Sequence, residues 1–246
     1  MKINYNEKNN KSHIYNIYNF YSQKIEGKIT YLASSKMALK SIEQNNEDSK
    51  KHIQKGVNQI YKNAKDIKVI LKFNESVSEY YAVDKMDFTN KDDINITHIM
   101  SGSEKKFYTQ NLTMKYESKT LDCYLLGECF LIENELPKWI LKQETKTIQG
   151  FLCYKAILIN PRNGKQNLEA WYTPKLPYLY GIMEFYGLPG VILELNRATL
   201  SITAIKVELN PIQRIEITEP KNIKILTQEE FKNLTRKAMP DFNNRN

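Results

Sequence analysis

The chain has 246 residues, 41% of them hydrophobic, which is enough apolar material for a real core in one large domain or two small ones. Sixteen Tyr and nine Phe against nine Gly and eight Pro exclude a fibrous or low-complexity protein and lean towards strand structure. The net charge of +8 arises wholly in residues 1–72, from 14 scattered Lys, no Arg and 6 acidic residues, a pattern that argues against nucleic acid as a partner because base and phosphate recognition favour the planar fork of Arg.

Residues 1–24 read as a polar and aromatic N-terminal extension, partly disordered, with Tyr15, Tyr18, Phe20 and Tyr21 as its aromatic patch. The start from Met1 to Glu7 is polar and lacks the apolar core of an export signal. A first strand is expected over 25–32. Residues 36–65 then change to helical spacing, with Ile42, Ile53, Val57, Ile60 and Tyr61 on one face and Lys50, Lys51, Lys55 and Lys62 on the other. A solvated face accounts for those lysines.

Strands follow at 69–74, 79–83, 111–117, 123–133, 139–143 and 151–159. Asn163-Gly164 is a strong hairpin signal and returns the chain along 167–173. Residues 191–196 and 201–209 form a second hairpin, and 212–218 a last strand. Thr227-Gln228-Glu229-Glu230 has capping-box spacing for a short C-terminal helix. Sequential strands usually pair with their neighbours. The expected fold is therefore α+β and mostly β: a curved antiparallel β-meander, half-barrel-like, with a helical segment inserted after the first strand. The β-rich domain is placed at 25–220, and the C-terminal helix and tail at 221–246.

Three cysteines occur, Cys123, Cys129 and Cys153. Cys123 and Cys129 within one strand would stand about 20 Å apart, beyond the reach of a disulfide. A bond from either to Cys153 stays open. With no C-x-x-C pair and three distant histidines, no metal site is expected, and no phosphate-binding glycine motif points to a cofactor. No apolar run approaches the length of a transmembrane helix.

A chain of signatures occupies the stretch from Trp139 to Leu195. It comprises Gln149-Gly150-Phe151-Leu152-Cys153-Tyr154, then Ala170-Trp171-Tyr172-Thr173-Pro174 and Leu176-Pro177, and finally Phe185-Tyr186-Gly187-Leu188-Pro189-Gly190-Val191-Ile192. This resembles the GLPGLI family, with Val191 in place of the usual Leu; Gly27-Lys28-Ile29-Thr30-Tyr31 and Lys72-Phe73-Asn74-Glu75-Ser76 extend the likeness to about residues 25–210. The resemblance implies an exported protein of Bacteroidetes-type bacteria, periplasmic or on the cell surface, with no established activity. It also implies an accessory role, since a similar domain precedes the catalytic part of certain glycan-releasing amidases. The curved sheet is similar in outline to the half-barrels of envelope lipid carriers, a likeness of fold that does not fix a function.

Among the motif residues, Leu188-Pro189-Gly190-Val191 reads as a type II turn, with Pro presetting φ and Gly accepting positive φ. Trp139, Cys153, Pro177, Gly187, Leu188, Pro189, Gly190 and Glu194 are expected to be structural. Cys153 has no His placed to activate it, and Glu169 and Glu194 have no evident partners. Trp171, Tyr172, Phe185 and Tyr186 are the residues expected to hold an apolar ligand or an envelope protein. The expected function is a non-enzymatic binding or accessory protein of the envelope. The alternatives are a hydrolase whose acids converge only in three dimensions, and a basic adaptor binding anionic surfaces through the Lys-rich N-terminal third.

Overall fold

A computed structural model describes residues 24–35, 61, 64–83, 95–112, 115–159, 166–197 and 199–238. The helical segment expected at 36–65 and the Asn163-Gly164 turn lie, apart from Tyr61 and Ala64–Lys65, outside the described residues.

The strands are β1 (Gly27–Ser34), β2 (Ile67–Phe73), β3 (Val77–Ala82), β4 (Lys106–Leu112), β5 (Lys115–Asp122), β6 (Phe130–Asn134), β7 (Trp139–Ile148), β8 (Phe151–Ile159), β9 (Gln166–Thr173), β10 (Val191–Arg197), β11 (Leu200–Leu209) and β12 (Lys224–Leu226). Among the described residues two helices accompany them, α1 (Ile96–Met100) and α2 (Gln228–Ala238). All twelve strands form one sheet in the order β12-β6-β5-β4-β3-β2-β1-β11-β10-β9-β8-β7. Every neighbouring pair is antiparallel except β12 and β6. The mostly β, α+β architecture with a curved sheet and a C-terminal helix is the expected one.

The order contains two meanders, β1 to β6 and β7 to β11, stitched together where β1 pairs with β11 from Gly27↔Leu209 to Ser34↔Ser201. This join forces the curvature. Strands β6 and β7 stand ten intervals apart in the sheet, about 48 Å if it were flat. Only residues 135–138 connect them, and that span reaches about 18 Å at full extension. The sheet must therefore curl until its two ends approach each other, though it does not close.

Alternation along β1 buries Ile29, Tyr31 and Ala33, while β2 contributes Val69, Leu71 and Phe73, and β10 and β11 contribute Leu193, Leu195 and Ile202. The space inside the curl is filled by the chain itself. Residues 174–190, between β9 and β10, carry buried Leu176, Tyr180, Ile182, Phe185, Tyr186 and Leu188. A buried loop must satisfy its own backbone. Here Gly187 N–H donates to Leu179 O (3.0 Å), Val191 N–H to Leu176 O (3.1 Å) and Ile192 N–H to Tyr180 O (3.2 Å).

Several expectations are corrected. Residues 123–133 are not one strand: β5 ends at Asp122, β6 begins at Phe130, and the turn between them brings Cys123 and Cys129 to a Cα separation of 3.9 Å, where they form a disulfide. Cys153 is free and buried. The strand expected at 111–117 is the end of β4 and the start of β5. Residues 212–218 form no strand, and Ile212 is fully exposed, so its apolar side chain has nothing to pair against. The edge strand β12 follows instead. The expected capping box is present: Glu230 N–H donates to Thr227 Oγ1 (3.2 Å) and Thr227 N–H donates to Glu230 Oε2 (2.8 Å).

The turn at 188–191 is also of a different kind. Gly190 N–H donates to Leu188 O at 2.7 Å, a three-residue turn centred on Pro189, and Val191 N–H goes to Leu176 instead of closing a type II turn. Gly190 has φ +151°, and a Cβ there would stand 2.2 Å from Thr173 O. Both the backbone angle and the close approach require glycine. Gly190→Ala is expected to lower the free energy of unfolding by about 3 kcal/mol, whereas Pro189→Ala, at an exposed position, changes it far less. Urea denaturation of the two variants checks this, and equal midpoints would show that the close approach is not constraining.

Candidate functional site

The expected ligand-holding residues do not form one surface. Trp171 and Tyr172 are adjacent in β9 and so point to opposite faces of the sheet. Tyr172 faces Tyr154 across β8, with ring centroids 6.1 Å apart. Phe185 meets the ring of Trp139 at 6.4 Å, and Tyr186 O accepts the Trp139 indole N–H at 2.8 Å. All four of Trp171, Tyr172, Phe185 and Tyr186 are buried.

Trp171 sits beneath a layer of charge. Lys146 Nζ lies 4.2 Å from its ring centroid and Lys155 Nζ 5.8 Å away, with their alkyl stems free to cover the indole. Glu194, opposite Trp171 in the β9–β10 register, pairs with Lys146 at 2.6 Å. Glu169 pairs with Lys155 at 3.0 Å and accepts the Trp171 indole N–H at 2.8 Å. The expectation that Glu169 and Glu194 lack partners is thus corrected, since their cations arrive from β7 and β8. Burial alone would raise Glu169, but hydrogen bonds from Lys155 and Trp171 hold its carboxyl below the usual range. Burial pushes the Cys153 thiol up to about 11, which keeps it protonated and a poor nucleophile.

Of the structural motif residues, Pro177 and Pro189 are exposed at bends, while Leu188 and Gly190 are buried. Gly187 has φ +89°, and a Cβ there would meet Leu136 Cδ1 at 2.4 Å, against the 135–138 connection.

The residues that sequence reasoning missed are at the tip of the buried loop. Ile182 and Phe185 exchange both backbone hydrogen bonds, at 3.0 and 3.1 Å, leaving Met183 and Glu184 as a two-residue turn. Met183 has φ +54°, a strained conformation for a bulky residue. A cavity of about 1010 Å³ opens beside this tip, between the α1–β4 region, β6 and helix α2. Its lining is mixed: Phe107, Ile132, Met183 and Phe231 supply an apolar part, and Lys105, Glu135, Glu184, Arg197, Lys232 and Arg236 a charged one. Burial raises the Glu184 carboxyl above the usual range, offset in part by its own backbone N–H and by the positive charges of Arg197 and Lys105. Among the described residues no side chain forms an ion pair or hydrogen bond with it. Lys105 is held by Asp122 at 3.1 Å, and Arg197 lies exposed with its guanidinium 5.8 Å from the Phe185 ring centroid.

Helix α2 covers one side of the cavity but buries no residue fully. Phe231 and Leu234 hold it against a small cluster of Phe130, Ile132 and Leu226, with the Phe130 and Phe231 rings 5.9 Å apart. The disulfide loop contributes Leu126 to the same cluster. Among the described residues no group of acidic, His or Cys side chains is placed to hold a metal ion, and no helix is long and apolar enough to cross a membrane.

The fold defines an open, curled antiparallel sheet plugged by its own chain. A family model described as a protein of unknown function (Porph_ging) matches residues 162–194, the stretch holding β9, the buried loop and the start of β10. No curated protein matches the chain. Two structures of PNGF-II, in C2 and P21 space groups, are similar at TM-scores of 0.52 and 0.50 with 15% and 14% identity. The alignment covers 87% of this chain and 33% and 34% of PNGF-II, so the chain spans about a third of that protein's length. At these identities the likeness is one of fold. A candidate outer membrane lipoprotein-sorting protein domain from Vibrio parahaemolyticus aligns over 86% of this chain and 91% of its own, at 8% identity and a TM-score of 0.28, too low to bear on the fold.

Glu169 gives a pH prediction. Its folded carboxyl titrates below its unfolded value, so its contribution is present above the unfolded value of about 4.3 and is lost as pH falls through the lower folded value. The urea midpoint is expected to fall below about pH 4, and Glu169→Gln to be less stable at neutral pH with a flatter acid limb. An unchanged acid limb in that variant would show that the pair with Lys155 contributes nothing.

Proposed function

We propose that this chain is a non-enzymatic binding or accessory protein of the cell envelope that holds an apolar ligand or a protein partner in the cleft between the curved sheet and helix α2. The observation that carries this reading is the cavity of about 1010 Å³ beside the Met183–Glu184 tip, a volume at the upper end of small-molecule sites. Its strained turn, its apolar lining residues set among polar ones and its loosely seated helical cover are what a binding cleft needs. On this reading residues 25–220 are a GLPGLI-like β-rich domain, 221–246 its cover, and 1–24 an extension. Phe185 is the expected site residue nearest the cavity, since it follows Glu184 and lies under Arg197. Tyr172 and Tyr186 support it from the core, and Trp171 organises the opposite face.

A periplasmic or surface location is part of the proposal. It is supported by the Cys123–Cys129 disulfide, because such bonds persist in oxidising compartments. The hydrolase alternative has in its favour the raised carboxyl of Glu184 and two further acids lining the cavity, Glu135 and Glu229; those two are exposed, and Glu169 and Glu194 are tied to lysines on another face, so no partner for a general acid is held in place.

Native mass spectrometry of the protein taken from its host's envelope tests the reading. A discrete non-covalent adduct of lipid or peptide size is expected, and Phe231→Ala, which loosens α2, is expected to lose it. A bare mass, together with no cross-linked partner in the envelope fraction, would sink the proposal.

A further inference from the structure

The apolar part of the cavity lining and the half-buried acid that has no side-chain partner among the described residues together point to a ligand class. We propose that the cleft takes a small apolar molecule bearing a primary ammonium group, with the ammonium on the carboxylate of Glu184 and the apolar body against Phe107, Ile132 and Phe231. This rests on the binding reading above.

Glu184 is the group in the cavity whose needs the protein leaves unmet. Its carboxyl is half-buried at the tip of a turn that is itself strained, it lines the cavity, and among the described residues no other side chain pairs with it. A desolvated carboxyl without a partner is destabilising, and a charge-assisted hydrogen bond from a cation relieves it more than a neutral donor does. The protein's own cations do not serve. Lys105 is committed to buried Asp122, and Arg197 acts on Glu184 only at a distance. Helix α2 brings Lys232, Arg236 and Glu229 to the cavity, and Glu135 comes from the 135–138 connection. These four are exposed, so water and salt screen them more than they screen the half-buried carboxylate. Arg236 is further held by Asn233 at 3.1 Å. The lining is mixed, and its apolar part, Phe107, Ile132, Met183 and Phe231, favours a cation with an apolar body over a small hydrophilic one, from which these side chains would gain nothing.

The proton balance sets a pH signature. The ammonium pairs with the ionised carboxylate, so binding drives a proton off Glu184 wherever the free protein still holds one. Affinity therefore falls as pH drops through the raised titration of Glu184, and the slope disappears when the carboxyl is removed.

Isothermal titration calorimetry of the full chain with n-octylamine, 1-octanol and octanoate tests this at neutral pH and again near pH 5. Octylamine is expected to bind best, with Glu184→Gln weakening it at least about tenfold and abolishing the pH dependence. Arg197→Gln, which removes an opposing cation, is expected to tighten octylamine about two-fold. Circular dichroism and the urea midpoint show whether each variant is folded, and Arg197→Gln at an exposed position gives a readout independent of Glu184. Binding of octanoate or octanol equal to octylamine, or an unchanged octylamine affinity in folded Glu184→Gln, would overturn the ammonium assignment while leaving a binding cleft. No binding of any of the three probes would overturn the ammonium assignment and the small-ligand form of the binding reading, leaving the protein-partner form to the cross-linking test.

Discussion

Four residues between β6 and β7 impose the shape on which everything else depends. Sheet order sets those strands ten intervals apart, and the 135–138 connection cannot span a flat sheet of that width. Curvature is therefore a requirement of chain connectivity, beyond the ordinary twist of strands. A curled sheet has a concave side, and a concave apolar side must be filled by a ligand, by a partner or by the chain. Here the chain does it with residues 174–190. Leu136 in the connection lies directly over Gly187 of this loop, so that a Cβ there would displace the leucine side chain. The element that forces the curl thus touches the element that fills it.

A buried loop of seventeen residues is unusual because its peptide groups have no ladder to join. This one borrows partners from all around it. Tyr180 donates its hydroxyl to Asn74 O at 3.1 Å, Tyr178 accepts Ile25 N–H at 3.2 Å, and Tyr31 donates to Ile192 O at 2.8 Å. Phe73, Tyr116, Tyr178 and Tyr180 interlock by their rings, with centroid separations of 5.3 to 6.1 Å. The phenols explain why tyrosine is preferred to phenylalanine here: each supplies apolar area together with one hydrogen bond. Filling from this direction reaches only so far. The turn at Met183–Glu184 ends the plug, and the cavity lies beyond it.

How far the sequence could lead is clear from particular residues. Residues 151–159 read as a strand and are one, because their apolar run is bounded by Gln149-Gly150 with positive φ at both positions. The capping box at Thr227 is local chemistry and was legible for that reason. Cys123 and Cys129 were not, since an apolar-rich run conceals a turn whose only strong marker is Gly127, at φ +75°. Aromatic density from Trp171 to Tyr186 read equally well as a pocket lining or as a plug, and only the topology that curls the sheet decides which side chains are inside. Glu184 gave no signal at all. An isolated acid between Met183 and Phe185 is unremarkable until a two-residue turn and a cavity are known to surround it.

The carboxylates show how one residue type can be assigned to two tasks by its surroundings. Glu169 and Glu194 lie on the face where β7 and β8 deliver Lys146 and Lys155, and the indole of Trp171 gives those lysines a surface to rest on. They are paired, and Glu169 is held ionised, so their part is to hold four strands in register on that face. Glu184 lies at the tip of the loop, away from the strand ladder, where among the described residues no cross-strand lysine pairs with it, and burial pushes it towards the neutral form. Partial neutralisation lowers the penalty of an unpaired buried acid without removing it. Among the described residues the fold pairs its outer acids with lysines and leaves this one, at the mouth of its cavity, with only the more distant charges of Arg197 and Lys105.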